Sequence, residues 1–207
     1  MKMNQTTGTS LGDNAIAAVT TLANAYARVL IGSGIPFATK FRLPMRDLNK
    51  AWYAAHNRWK YDCHPPAFDW NLETGGDSDL GERLVAPFSG IVLSAVDWKG
   101  RTGRVIQLLG ITPGGKLIVW GGWHLLDMFV SGGQIVSVGD EIGTIGNADG
   151  EYYAHLHEQI CIVGRYGIPT PYTFVSDTRY HWCNCDEFYI EHGVDRELVE
   201  RCVRWDG

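Results

Sequence analysis

The sequence predicts a mainly β fold: a compact antiparallel β-sheet domain with peripheral helices at its N- and C-terminal margins. Three observations predict it. Between about residues 84 and 163, short runs rich in β-branched and aromatic residues alternate with Gly-containing turns: LVAPFSGIVLSAV, GRVIQLLG, KLIVWGGWHLL, QIVSVGDEIGTIG and HLHEQICIV. Glycine is abundant, at 25 residues, which suits many tight turns. The 207 residues, 45% hydrophobic and 20% charged, are enough for one domain with its own core, and no long linker, internal repeat or low-complexity block divides them.

The elements follow in order. Residues 1–12 are polar and carry no pattern. Asp13 or Asn14 caps an expected helix running to about Leu30, with Ile16, Val19, Ala23, Tyr26 and Leu30 near one face and Gly32 and Gly34 beyond its end. Residues 36–45 read as extended. Residues 47–60 read as a helix, on the stripe Leu48, Trp52, Ala55 and Trp59. The strand runs occupy the middle of the chain, and Pro113-Gly114-Gly115 marks a hairpin turn between two of them. After Pro169 the chain is irregular and aromatic, until Asp195 caps a last helix with Leu198, Val199, Cys202 and Val203 inward. Residues 1–59 are thus an extension and lead-in, 60–170 the β core, and 171–207 a segment packed on that core.

Composition excludes some functions. A net charge of -5 gives no electrostatic reason to expect nucleic acid. The most apolar early stretch, Ala15 to Ile31, contains Asn24 and Arg28, so no membrane insertion is expected. The start MKMNQTTGTSLGDN lacks the apolar core of an export signal, and five Cys, an odd number, favour reduced thiols. Synthesis in the cytoplasm without a Sec signal is the expectation.

Three places carry candidate chemistry. In YYAHLHEQICIV, strand alternation puts His155 and His157 on one face, with Gln159 beside them, while Leu156, Ile160 and Ile162 face the other way. Two neighbouring imidazoles provide for one metal ligand and one proton-handling group. In HPPAFDWN, His64 and Asp69 are both of zinc-ligand type. His124 ends the run LIVWGGWHLL. A lone His of this kind is more often a packed residue, and a His-x-His pair alone is unspecific. The C-terminal His181, Cys183, Cys185, His192 and Cys202 do not follow a standard structural-zinc spacing.

The order HPPAFDWN, DLGERLVAPFSGIV, WHLL, GGQIVSVGDEIGTIGN, HLHEQI resembles the lysostaphin-type (LytM-like) zinc endopeptidases, over roughly residues 60–163. The resemblance implies a LytM-like β domain holding one Zn2+ per chain through His64, Asp69 and His157. It implies that His124 and His155 are catalytic and that the substrate is the peptide of bacterial peptidoglycan, cut for cell lysis or wall penetration. A wall-cutting enzyme without an export signal suits a phage-released or virion-associated protein. Two departures stand out. Four residues separate His64 from Asp69 where the family has three, so a bulge at 65–67 is expected, with Phe68 turned into the core. Glu158 and then Gln159 follow the His pair where the family has an apolar residue and then Glu. A degenerate member that binds without cutting is the alternative. Biotinyl or lipoyl carriers share the hairpin style, but Lys99 and Lys116, the only Lys after residue 60, lie in no carrier-type turn. A sugar-phosphotransferase carrier would need neither Asp69 nor a His-x-His strand.

Overall fold

The computed structural model describes residues 32, 34, 36–56, 66–72, 76–164, 166–170 and 180–204. The expected helix of residues 14–30 lies outside them, as do His64 and Cys63.

Among the described residues, one nine-stranded sheet organises the fold. Its strands are β1 (Trp52–His56), β2 (Ala67–Asn71), β4 (Gly90–Asp97), β5 (Arg104–Ile111), β6 (Leu117–Leu125), β7 (Ile135–Val136), β9 (Leu156–Ile162), β10 (His181–Trp182) and β11 (Val203–Arg204). The order is β11-β1-β2-β9-β6-β5-β4-β7, and all neighbours are antiparallel except β1 and β11. β10 takes the edge of β9 that β2 leaves: β2 pairs with Leu156 to Glu158, and β10 with Cys161 and Ile162. A second ladder joins β3 (Arg83–Val85) to β8 (Glu141–Thr144). The antiparallel β prediction therefore holds, and the five central runs are strands. The turn at 113–115 closes β5 onto β6, with Thr112 N–H donating to the Lys116 carbonyl at 2.9 Å.

The expected helix at 47–60 is corrected. Trp52–His56 is a strand, paired along its length with β2. The four-residue stripe is outweighed by ladder bonds on both edges and by Tyr53, which stacks on Phe68 at 3.8 Å between centroids. At the other end, two helices lie on the sheet: α1 (Cys185–Glu191) and α2 (Arg196–Cys202). Asp195 caps α2 as expected, its side chain accepting from Leu198 N–H at 2.9 Å.

Alternation divides the sheet into two faces. One carries Phe68, Trp70, Trp120, Leu156 and Ile160, which form the main core with Phe188, Tyr189, Val199 and Cys202 of the helices. The other carries Asp69, Trp123 and His157, followed further along by a smaller apolar cluster of Leu109, Val119 and Ile168. Gly121 and Gly122 keep the two faces compatible. A Cβ on Gly121 would lie 2.0 Å from the Trp123 ring, and one on Gly122 would lie 2.5 Å from the Trp120 ring. Each glycine makes room for an indole, one on either side of β6.

Candidate metal centre

Asp69 and His157 are ladder partners on β2 and β9. Same-register residues on antiparallel strands point the same way, so their side chains meet: Asp69 Oδ1 and His157 Nδ1 are 2.8 Å apart. His155 joins from the turn before β9, with Nε2 4.0 Å from Asp69 Oδ1. Its Nδ1 lies 2.8 Å from the Tyr153 carbonyl. A carbonyl only accepts, so Nδ1 carries the proton, and the neutral ring keeps its lone pair on Nε2, the nitrogen nearer Asp69.

His124 arrives by a different route. Regular alternation would put it on the core face with Trp120 and Gly122. Between Gly122 and Leu125, however, β6 has one residue more than the facing stretch of β5, from Ile106 to Arg104. At this bulge His124 takes a left-handed backbone, with φ of 63°. That conformation costs a non-glycine residue about 1–2 kcal/mol. It turns the ring to the site face, with centroids 4.8 Å from His155 and 5.8 Å from His157. Gly146 makes the meeting possible. His155 N–H donates to its carbonyl, and a Cβ on Gly146 would stand 2.3 Å from the His124 carbonyl oxygen.

Burial pushes His124 down to about 3, with the neighbouring His157 and His155 acting in the same direction and Asp69 and a hydrogen bond to the Thr102 backbone opposing. His124 is therefore a neutral imidazole, and its Nδ1 is buried without a hydrogen-bond partner. The amide of Gln159, on the same face of β9, is also enclosed with neither polar atom paired. Glu158 faces the core and is fully buried. Its Oε1 accepts from Trp120 Nε1 at 2.5 Å and from the Tyr189 hydroxyl, and its Oε2 accepts from Trp70 Nε1 at 2.6 Å. Burial raises its carboxyl to about 7 against those three bonds. Asp79 is also fully buried, and desolvation lifts its carboxyl to about 6 while His155 pulls it down.

The structure thus brings together Asp69, His124, His155 and His157, four of the five expected site residues; His64 lies outside the described residues. Phe68 is turned into the core as expected. Ala67 stands regularly opposite His56, so no bulge includes it, and the rest of the expected bulge falls on undescribed positions. Among the described residues no three His, Cys, Asp or Glu are arranged to hold a metal. The donor chemistry nevertheless suits zinc: a tetrahedral ion with bonds of ~2.0–2.1 Å sets its ligand atoms ~3.3 Å apart. The Asp69–His157 pair is within about half an ångström of that.

Sequence reasoning missed Tyr152. Its ring is 4.8 Å from that of His124, and its hydroxyl accepts from Arg101 Nε at 3.0 Å. The aromatic pair just before His-x-His was the available signal. Trp182 lies elsewhere: with His181, Cys183 and His192 it lines a separate cleft of about 450 Å³. Cys161, Cys183, Cys185 and Cys202 are free and buried, and desolvation pushes the Cys183 thiol up to about 12.

No protein-family model matches the chain, and no curated protein matches it. Solved structures do. The antimicrobial peptidase lysostaphin from Staphylococcus simulans matches at 20% identity over 68% of this chain and 50% of its own, with a TM-score of 0.43. A zinc-containing peptidase from Vibrio cholerae matches at 18% over 63% and 37%, with a TM-score of 0.45. A candidate LytM-type glycyl-glycine endopeptidase from Ruminococcus gnavus matches at 16% over 82% and 63%, with a TM-score of 0.49. The chain spans about half the length of these proteins. Its structural neighbours are M23 peptidases of lysostaphin and LytM type, matched at low identity.

Proposed function

We propose that this chain is a zinc-dependent endopeptidase that hydrolyses the peptide cross-links of bacterial peptidoglycan, in the service of cell lysis or wall penetration. The observation that carries the reading is the convergence of Asp69 Oδ1 and His157 Nδ1 at 2.8 Å, with two further imidazoles on the same face. The choice of peptidoglycan rests on the motif order HPPAFDWN to HLHEQI.

His64, Asp69 and His157 would hold the ion, one carboxylate and two neutral imidazoles leaving a net charge of about +1. Zinc held there would supply activation of water near neutral pH and Lewis-acid polarisation of a peptide carbonyl. The remaining steps belong to the chain. His155 accepts a proton at Nε2, because its Nδ1–H is committed to the Tyr153 carbonyl. His124, kept neutral by burial, stands beside His155 and His157 with its Nδ1 free to hydrogen-bond the reacting groups.

The test is metal analysis of purified protein together with mass spectrometry of digested peptidoglycan. About one zinc per chain, lost in His157→Ala, and new peptide ends released from the wall support the reading. Zinc content unchanged in His157→Ala sinks the ligand set. Wall binding with no new ends makes the chain a degenerate, non-cutting member.

A further inference from the structure

Glu158 is a fully buried acid that the proposed chemistry leaves unused. Its three partners are neutral donors from three elements: Trp70 on β2, Trp120 on β6 and Tyr189 on α1. A carboxylate enclosed without a cation is costly, and an apolar side chain of similar volume is usually at least as stabilising. Stability alone therefore does not explain an acid here. Its connections do. Glu158 directly follows His157, Trp70 directly follows Asp69, and Trp120 lies on the strand that leads to Trp123 and His124. Adjacent residues of a strand point to opposite faces, so a rigid tie on the core face fixes the backbone that carries the site face. Fixed geometry is also available at the second strand, since Gly122 leaves the Trp120 ring its place beside Leu156.

We infer that Glu158 is a positioning residue. Through Trp70 and Trp120 it locks β2 and β6 against β9 from behind and so holds Asp69 and His157 at the separation a metal needs. Tyr189 ties α1 to the same carboxylate from the core side, without joining either of the two strands to β9. This rests on the zinc reading above.

The test uses the full chain and four variants: Glu158→Gln, Trp70→Phe, the double variant and Tyr189→Phe. Glutamine keeps the shape, but its NH2 faces Trp70 in one orientation of the amide and Trp120 with Tyr189 in the other. Glu158→Gln should weaken zinc binding by about 10–100-fold, as is usual for supports behind a metal ligand, and lower kcat with KM nearly unchanged. Trp70→Phe should weaken zinc by less. The double variant should resemble Trp70→Phe rather than the product of the two losses, because Phe removes the donor that opposes the amide. Tyr189→Phe, which keeps both strand ties, should lower Tm and leave zinc affinity within about 2-fold.

Wild-type zinc affinity in Glu158→Gln, or losses that follow Tm across all four proteins, would overturn the inference. Should Glu158→Gln not fold, Trp70→Phe decides alone: unchanged zinc affinity there overturns it. If the wild type takes up no zinc, the zinc reading has failed separately. Positioning is then read in the metal-free protein by imidazole 1H–15N NMR. Loss of the His157 Nδ1–H to Asp69 bond in Glu158→Gln supports the role, and its retention refutes it.

Discussion

Asp69 and Glu158 are two carboxylates on neighbouring strands, one register step apart and on opposite faces. Asp69 is part-exposed and meets imidazoles, whereas Glu158 is sealed among two indoles and a phenol. The same residue chemistry is thus set to different ends by a single step of alternation. One carboxylate is left able to exchange its partner for a cation, and the other is saturated by donors that cannot leave.

If packing and chemistry divide between the two faces in this way, with Glu158 as the tie across them, other substitutions on the two faces should fail differently. The largest effect is expected at His155→Ala on the site face. Loss of a positioned general base should lower kcat by about 10²–10⁴-fold while the urea midpoint moves little. Near-normal turnover in steady-state assays would remove His155 from the chemistry. On the other face of the same strand, Leu156→Ala should cost about 2–5 kcal/mol of stability, since its side chain is fully buried in the main core. Turnover per folded molecule should be preserved, and a kcat that drops with stability intact would show that the faces are not separable.

Asp79 sharpens the contrast, being enclosed without the donors that Glu158 has. Its carboxyl rises from 3.8 to about 6 on folding, so the folded state holds the proton more tightly than the unfolded one. The stability it contributes is full below pH ~4 and is lost as pH rises through about 6, by at most ~3 kcal/mol. In urea titrations, Asp79→Asn should flatten the slope over that window, and an unchanged slope would assign it to another group. The smallest effect belongs to Asp195→Ala. Removing the α2 cap should cost about 1 kcal/mol, read as Tm, and leave kcat alone.

Period two was enough to read much of the site from the chain. His155, His157 and Gln159 on one face follow from alternation and hold in the structure; Phe68 is turned to the core as expected, although the bulge expected before it does not include Ala67. The Asp195 cap was legible because its chemistry is local. The resemblance put His124 in one site with His155, but how it gets there was not legible, because a single extra residue in β6 leaves no mark in the hydrophobic pattern. Trp52–His56 misled for the opposite reason. Leu48, Trp52, Ala55 and Trp59 satisfy a helical spacing, and only pairing with distant strands overrules it. The helix Cys185–Glu191 was missed within a stretch read as irregular: it is as short as the last helix, but its N-cap residue Asn184 makes no side-chain cap bond, whereas Asp195 does.

The parallel pairing of β1 with β11 has a consequence for how the chain reaches this state. Tyr53 donates its hydroxyl to the Val199 carbonyl, 146 positions along the chain, and the neighbouring ladder spans a similar distance. Contacts of that sequence separation are entropically expensive to close and tend to form late. Refolding should accordingly pass through a stage in which the central hairpins β4 to β6 are built while one margin of β1 stands open. That margin is an unpaired strand edge, so protein concentration during refolding, rather than temperature, should decide the yield.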